Sequence, residues 1–282
     1  KKAGTRKGVP AKLEDMSASE QAELEQAVEQ AKSSSASIDL NRLANTVDGY
    51  APKPSYIVKS VLNMELIWCP PGSFIMGGVG VDSPAHPVIL TKGFYLGKFE
   101  VTQEQYKKVM DNNPSEFKGN KLPVDGVSWD DAVEFCNKLT KKERMRGWQF
   151  SLPTEAQWEY TCRGGTTTDY SWGDSISSNL ANYEESGFKK TVEVGSYLPN
   201  TWGFYDMHGN VREWCLDWKT QFSQSLDVDP LVLVSSSKTT RVRRGGSWVD
   251  SDDVLLSAFR LSSVWKEKSN FIGFRVALVK VD

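Results

Sequence analysis

The feature that most constrains this chain lies near its C-terminal end, where two regular stretches enclose an irregular one. Residues 241–248 and residues 272–278 alternate well enough to predict two strands, and we call these two stretches the frame. Residues 249–271, the enclosed segment, follow neither a helical nor a strand period. A segment of this kind between two regular stretches indicates displayed surface and not core.

Ordered blocks of sequence connect the frame to the rest of the chain. They read Pro-Val-x-x-Val-Ser-Trp-x-x-Ala, Leu-Pro-Thr-Glu-Ala-x-Trp-Glu-Tyr, Gly-Phe-Tyr-Asp-Met-His-Gly-Asn-Val-Arg-Glu-Trp, Arg-Gly-Gly-Ser-Trp and Gly-Phe-Arg, at residues 123–132, 152–160, 203–214, 244–248 and 273–275. In this order they resemble the formylglycine-generating-enzyme family, also called the sulfatase-modifying-factor domain. The resemblance covers residues 64–278 and implies a C-type lectin fold of the formylglycine-generating-enzyme type.

Helix-capping residues indicate the secondary structure in and around these blocks. Thr102, Ser128 and Thr154 each precede a stretch with helical apolar spacing, and Gly164 is placed to end the third helix. Short strands and loops rich in Gly, Asn and Trp account for most of the remainder. The predicted fold class is therefore α+β with much irregular structure.

The chain divides into an N-terminal extension, residues 1–63, and a main domain, residues 64–282. Residues 17–32 are rich in Ala, Glu and Gln and begin with capping-box spacing, which predicts one helix in the extension. Its narrow apolar stripe consists of Leu24, Val28 and Ala31. We expect this helix to pack on the main domain, whose variable region spans about residues 241–278.

Composition and charge argue against two classes of partner. The net charge is −2 and the isoelectric point is near 5.9, which gives no general attraction to nucleic acid. No run approaches the roughly twenty apolar residues that span a bilayer, and residues 1–12 lack the apolar core of a signal peptide. We expect the protein at the cell surface or secreted, after removal of a targeting segment and with a lipid anchor upstream of Lys1. The cytoplasm is the alternative location.

The cysteine pattern argues against the chemistry of the resembled enzymes. The resemblance implies oxidation of a substrate cysteine by two cysteines of the enzyme, both between the Gly-Gly-Ser and Gly-Phe-Arg blocks. No cysteine follows Gly246, so the nucleophilic and metal-binding thiols are missing, and we expect no enzyme activity and no required cofactor. The four cysteines are Cys69, Cys136, Cys162 and Cys215. They contain no C-x-x-C pair for zinc, and we predict buried free thiols at Cys136 and Cys162, with a disulfide left open.

Two histidines, His86 and His208, leave one further catalytic alternative. His208 lies inside the sequence Asp-Met-His-Gly-Asn, where a Ser-His-Asp arrangement would give a hydrolase. The favoured interpretation is a turn histidine bonded to backbone groups.

The same resemblance implies a structural calcium ion. Asn182, Asn210 and Glu213 match positions where the family places calcium, with backbone carbonyls completing the oxygen shell. The alternative is that Asn210 supports a turn and that Glu213 pairs with Arg212 or Arg244.

The enclosed segment carries a second resemblance. With Ser257-Ala258 and Arg260 embedded in it, the segment resembles variable proteins diversified by diversity-generating retroelements, including treponemal surface variable proteins. The resemblance implies a rigid C-type lectin fold that presents a hypervariable ligand-binding surface. Randomised AAC or AAT codons would supply the candidate binding residues, except Trp265, which we add for its apolar ring. The candidates are Val249, Asp250, Ser251, Asp253, Leu255, Phe259, Leu261, Ser262, Val264, Trp265, Ser269 and Phe271.

These observations favour a non-catalytic ligand-binding protein of the receptor or adhesion type. The mixture of Asp, Ser, aromatic and aliphatic residues in the enclosed segment suits a protein or peptide ligand. The alternative is a pseudo-enzyme, or an uncharacterised enzyme, of the sulfatase-modifying-factor family.

Overall fold

The structure, a computed structural model, describes residues 57–60, 62–80, 83–233 and 239–281. The predicted helix over residues 17–32 lies outside the described residues. In the ranges that are described, no helix has the length and apolar character needed to cross a membrane.

Five antiparallel strands form a central sheet that joins the start of the main domain to its end. In spatial order they are Ile57–Lys59 (β1), Glu65–Cys69 (β2), Phe94–Gly97 (β5), Ala277–Lys280 (β12) and Trp148–Ser151 (β6). Ala277 pairs with Leu96 on one side and with Ser151 on the other. The last strand of the chain is therefore held inside the sheet.

Two smaller sheets complete the described strands. The first has the order Leu261–Ser263 (β10), Arg241–Arg244 (β9), Arg212–Trp218 (β7) and Ile272–Gly273 (β11). The second consists of Gly72–Met76 (β3), His86–Leu90 (β4) and Asp227–Val228 (β8). Strand β10 belongs to the enclosed segment and pairs antiparallel with β9 of the frame. Part of the segment therefore folds back against the frame.

The frame contains shorter strands than the sequence predicts. Strand β9 ends at Arg244 because Gly245 and Gly246 adopt φ angles of +91° and +69°, a region that favours glycine. Residues 272–278 are not one strand: β11 and the start of β12 lie in different sheets. Between them Arg275 is fully buried and bonds to Glu213, so its side chain holds the chain at the point where it passes from one sheet to the next.

Three α-helices begin where the capping residues predict. They are Gln103–Met110 (α1), Trp129–Glu143 (α2) and Glu155–Arg163 (α3). The hydroxyls of Thr102, Ser128 and Thr154 each accept the N–H of the third residue after them, whose side chain bonds back to the cap. Gly164, at φ +54°, ends α3. All four predicted helix boundaries are confirmed.

Apolar side chains fill both faces of the central sheet. One core contains Phe135 of α2, Trp214 of β7 and Phe274, and the other contains Phe94 of β5 and Trp158 of α3. Mixed sheets, few helices and long irregular connections confirm the α+β class.

Candidate functional site

Hydrogen bonds to the rest of the fold hold both ends of the enclosed segment. The backbone N–H of Trp248 donates to the Asn210 carbonyl (3.1 Å), and its indole N–H donates to the Asn270 carbonyl (3.2 Å). Trp248 precedes the segment and Asn270 lies near its end, so one side chain connects the two. The N–H of Trp129 donates to the carbonyl of Trp265 (2.9 Å), which fixes the segment against the start of α2.

Asp250 is a buried anchor and not a displayed residue. Only 7% of its surface is exposed, and its carboxylate forms an ion pair with Arg212, whose Nε lies 2.8 Å from Oδ2. The Ser247 hydroxyl donates to the same oxygen at 2.7 Å. Both carboxylate oxygens of Asp250 are therefore used inside the fold, and its contact with a ligand stays a prediction.

Leu255 is a second inward-facing position. It is 0% exposed and packs in a small core with Tyr170, Ala181 and Tyr183. The prediction that Leu255 is exposed at the binding surface is therefore wrong. The 3₁₀ turn at Asp252–Val254 comes directly before this leucine and delivers it into that core.

Arg260 anchors the middle of the enclosed segment. Its Nε and Nη2 donate to the two carboxylate oxygens of Glu155, both at 2.6 Å, and its guanidinium lies 3.5 Å from the ring centre of Phe222. Burial raises the pKa of Glu155, but the charge of Arg260 outweighs burial and the pKa is lowered from its usual value. The pair is therefore ionised inside the protein at neutral pH.

The other candidate residues keep part of their side chains at the surface. Ser251, Asp253 and Val264 are exposed, with half of Val264 accessible. The half-buried ones are Val249, Phe259, Leu261, Ser262, Trp265, Ser269 and Phe271. Buried anchors and accessible side chains therefore alternate along the enclosed segment.

An aromatic stack makes the later part of this surface rigid. The Arg241 guanidinium lies 3.7 Å from the ring centres of both Trp129 and Trp218, and Trp265 meets Trp218 edge to face at 5.8 Å. The exposed Val264 comes directly before Trp265. Apolar groups held in place at the surface can contact a partner without first being ordered.

None of the cysteines is placed to act as a nucleophile. All four are buried and free. Burial raises the pKa of every one of these thiols, to about 12 at Cys162. Thiols in such surroundings are protonated and inert at neutral pH. The prediction of buried free thiols at Cys136 and Cys162 is confirmed.

His208 is bonded to backbone groups. Its Nδ1–H donates to the Leu255 carbonyl (2.7 Å), so Nε2 accepts the N–H of Ser171 (3.2 Å). Burial lowers the pKa of His208 to about 4, which keeps the ring neutral. The turn-histidine prediction is confirmed, and no carboxylate occupies the position that a Ser-His-Asp triad requires.

One family model matches nearly all of the described domain. The sulfatase-modifying factor enzyme 1-like domain matches residues 57–280, from the start of β1 to the end of β12. The chain belongs to this family.

Relatives within the family differ in their named activities. The chain is 31% identical over 207 residues to chaperone protein LppX of Paenibacillus barcinonensis, covering 56% of this chain and 70% of that protein. It is 36% identical over 174 residues to the formylglycine-generating enzyme of Streptomyces coelicolor, covering 55% of this chain and 52% of the enzyme. The chain therefore spans about half the length of that enzyme.

Solved structures of the family share the fold. Treponema denticola variable protein 1 has a TM-score of 0.71 and 30% identity, covering 79% of this chain and 98% of that one. PvdO from Pseudomonas aeruginosa has a TM-score of 0.70 and 26% identity, covering 82% of this chain and 100% of that one. The fold is thus the C-type lectin fold of the formylglycine-generating-enzyme type that the resemblance implies.

The residues that family resemblance assigns to calcium form hydrogen bonds within the fold. Asn210 Oδ1 accepts N–H groups from Val192 (3.0 Å) and Asn182 (3.2 Å), and Asn182 Oδ1 accepts the Ser186 hydroxyl. Glu213 accepts three N–H groups, two of them from Arg275. In the ranges that the structure describes, no group of three or more His, Cys, Asp or Glu residues could hold a metal ion. Donors of the protein therefore bond to side-chain oxygens of all three residues.

Glu213 also has a different partner from the two that sequence suggests. It pairs with Arg275 and not with Arg212 or Arg244. Arg244 is fully buried beside two glutamates of α3, Glu159 and Glu155. This pair of acids was not predicted. Glu155 and Glu159 lie four residues apart on one face of α3, and this spacing was the signal that cations face the helix there.

A buried carboxyl lies beneath the end of the enclosed segment. Asp125 is fully buried; its Oδ1 accepts the N–H of Glu116 (2.9 Å), while Oδ2 has no hydrogen-bond partner. The next residue, Gly126, donates its N–H to the Ser269 carbonyl (2.9 Å). Burial raises the pKa of Asp125 to about 7.

We expect the domain to lose stability as the pH rises from 5 to 8. The pKa of Asp125 is higher in the folded state than in the unfolded chain, so its contribution is complete below pH ~4 and is lost as pH rises through about 7. The loss from this one group should be on the order of 2 kcal/mol. Urea unfolding measures the free energy of unfolding at each pH. Between pH 5 and pH 8 this free energy should decrease less in Asp125→Asn than in the unmodified protein.

The exposed Asp130→Asn is the matched control for this titration and should retain the full decrease. Equal decreases in all three proteins would contradict the assignment to Asp125.

Proposed function

We propose that the chain is a non-catalytic ligand-binding protein of the receptor or adhesion type, and that its enclosed segment contacts a protein or peptide. The likeness to variable protein 1 of Treponema denticola, over 79% of this chain, is the observation that supports this most. The buried, protonated thiols and the neutral, backbone-bonded His208 give no support to a catalytic role.

The distribution of anchors supports the same proposal physically. Asp250, Leu255 and Arg260 hold the segment from inside, while Ser251, Val264 and other side chains between them reach solvent. Accessible side chains of this kind can change without disturbing the supporting bonds, so one fold can present different contact chemistry.

The chemistry of the accessible residues suits a polypeptide ligand. Asp252 and Asp253 make the start of the segment acidic, and Val264 and Trp265 make its later part apolar and aromatic. A peptide offers cationic and apolar groups together, and rigid aromatic rings contribute strongly to such interfaces.

We also propose that a retroelement diversifies this segment and that the protein acts at the cell surface, held there by a lipid anchor. Diversification requires a near-copy of codons 241–278 beside a reverse transcriptase gene. The accessible candidate residues are of the types that this process yields, apart from Trp265, and the three residues after it, Lys266, Glu267 and Lys268, are also outside those types.

The second candidate is a pseudo-enzyme, or an enzyme of unassigned chemistry, that handles other proteins. The 36% identity to a formylglycine-generating enzyme and the likeness to a protein named as a chaperone favour it. In this case changes in the enclosed segment would not alter which partner is bound.

Exchange of the accessible residues should change the peptide bound and leave the fold intact. We would replace Ser251, Asp253, Ser262 and Val264 together and keep every anchor, including Trp265, which packs on Trp218. Peptides selected from a random display library should differ between the two proteins, while the melting temperature should change by less than about 4 °C.

The control replaces the same number of exposed residues elsewhere, for example Lys107, Asn137, Lys141 and Arg146. Selection of the same peptides by all three proteins would contradict the proposal and favour the second candidate.

A further inference from the structure

A buried and incompletely bonded arginine lies beside the enclosed segment. Arg243 of β9 is 4% exposed, and it pairs with Leu261 of β10 across the sheet. Its Nη2 donates to the Ser262 carbonyl at 3.2 Å, but its buried Nε and Nη1 have no hydrogen-bond partner among the described residues. Buried polar groups are nearly always bonded, so donors that are left over at this position need an explanation.

The charge of Arg243 is also less well compensated than that of other buried arginines. Arg244 and Arg275 each donate to a glutamate. The acid paired with Arg243 is Glu267, whose Oε1 lies 3.7 Å from Nη1, beyond hydrogen-bond distance. Burial, and then the charge of Arg212, lowers the pKa of Arg243 to about 10 although Glu267 opposes this. A buried charge with a poor partner destabilises a fold, so stability alone gives no reason for this arginine.

Glu267 is a partner that a ligand can replace. Its N–H donates to the Val264 carbonyl at 2.9 Å, which closes a turn at the surface, and 39% of its side chain is exposed. Partly exposed ion pairs that lack a hydrogen bond contribute little. A carboxylate that accepts two N–H groups from a guanidinium is held much more strongly. An incoming carboxylate would therefore displace the Glu267 side chain into solvent.

The surroundings of Arg243 add positive charge and apolar surface. Arg241 lies two residues earlier on the same face of β9, and its Nε likewise has no hydrogen-bond partner among the described residues. Its guanidinium stacks on Trp218, which also contacts Trp265. Val264, next to Trp265, is 50% exposed. An acidic group beside an apolar side chain fits this combination.

We propose that Arg243 binds a carboxylate of the peptide ligand, which takes the place of Glu267, while Val264 and Trp265 contact an apolar group next to it. This inference rests on the proposed ligand-binding function and names the chemistry that the ligand must carry. The carboxylate belongs to an Asp or Glu side chain or to the C-terminus of the peptide, since a guanidinium recognises each of them. Because Arg243 lies in the frame, exchange of the accessible residues would leave this requirement unchanged.

Peptides selected from a random display library test the requirement. Those that bind the unmodified protein should share an acidic residue or a free C-terminus beside an apolar residue. Synthetic copies with that Asp or Glu changed to Asn or Gln should bind roughly tenfold more weakly in calorimetry, because a charge-assisted bond is lost. Copies with an amidated C-terminus should do so only if the terminus is the group that binds, so the two sources are distinguished.

Variants of the protein identify the residues that recognise the acid. Glu267→Gln removes the competing carboxylate and should strengthen binding of the acidic peptides several-fold, a gain that a merely structural role would not give. Arg243→Met should bind the acidic and amide copies equally, with a melting temperature changed by less than about 4 °C. The exposed Lys266→Met removes a positive charge from the same turn and should keep the preference for the acid.

The outcomes separate this inference from the function on which it rests. If the unmodified protein selects no peptide, the proposed function fails and the carboxylate site fails with it. Three results would overturn the carboxylate site alone: selected peptides that share no acidic group, a preference for the acid that survives Arg243→Met, and acidic peptides that bind Glu267→Gln no more tightly than the unmodified protein.

Discussion

Replacing Arg275 by alanine should lower the free energy of unfolding by roughly 3–5 kcal/mol, the cost of leaving a buried charge without its partner. Arg275 is fully buried and forms a two-point bond to Glu213, with both contacts at 2.6 Å. Its other donors reach the carbonyls of Gly97 (3.0 Å) and Tyr205 (2.9 Å). Truncation would therefore unpair a carboxylate and two backbone carbonyls in the centre of the domain.

The free energy of unfolding of Arg275→Lys should lie between those of Arg275→Ala and the unmodified protein, because lysine keeps the charge and loses the planar two-point bond. Urea unfolding followed by tryptophan fluorescence measures all three, and the exposed Arg146→Ala should change the value by less than about 0.5 kcal/mol. A loss of under about 1 kcal/mol for Arg275→Ala would contradict the proposed role of this pair.

Local signals in the sequence predicted the parts of this fold that depend on near neighbours. The caps at Thr102, Ser128 and Thr154 each bond to the third residue after them, so four consecutive residues contain the whole signal. The Gly164 helix end is likewise local. The resemblance of ordered blocks supplied the fold itself, which capping and periodicity alone could not.

Interactions between distant residues could not be predicted in the same way. Glu213 has Arg212 next to it in sequence, yet it pairs with Arg275, 62 residues away. That partner is available only after β11, which comes just before Arg275, has paired with β7. The hydrogen bonds at the residues assigned to calcium have the same origin, since Asn210 and Glu213 gain their N–H donors from segments remote in the chain.

The enclosed segment shows why a missing period does not mean uniform exposure. Its anchors, Asp250, Leu255 and Arg260, lie five residues apart, a spacing that fits neither a helix nor a strand. Each has its own partner, respectively Arg212, the small core around Tyr170, and Glu155. Because these contacts follow loop geometry, the sequence could not separate anchors from displayed residues.

Within the enclosed segment, Leu255→Ala should cost about 2–5 kcal/mol, whereas Ser262→Ala should cost less than about 0.5 kcal/mol. Leu255 is fully buried, so truncation leaves a cavity in the small core, while Ser262 is partly exposed in strand β10. Gly246→Val should be as damaging as Leu255→Ala. Gly246 has φ +69°, and an added Cβ would lie 2.7 Å from Cδ1 of Leu255.

Thermal unfolding and ligand selection together separate the two kinds of position. Leu255→Ala should lower the melting temperature, while Ser262→Ala should leave it unchanged. Val264→Asp should alter the selected peptides without a comparable loss of stability. Leu255→Met, which nearly conserves volume, is the control for the cavity and should cost less than about 1.5 kcal/mol. Equal losses at Leu255 and Ser262 would show that the whole segment is core. A rigid surface with exchangeable contacts requires a large loss at Leu255 and a small one at Ser262, because its stability must come from residues that the ligand never touches.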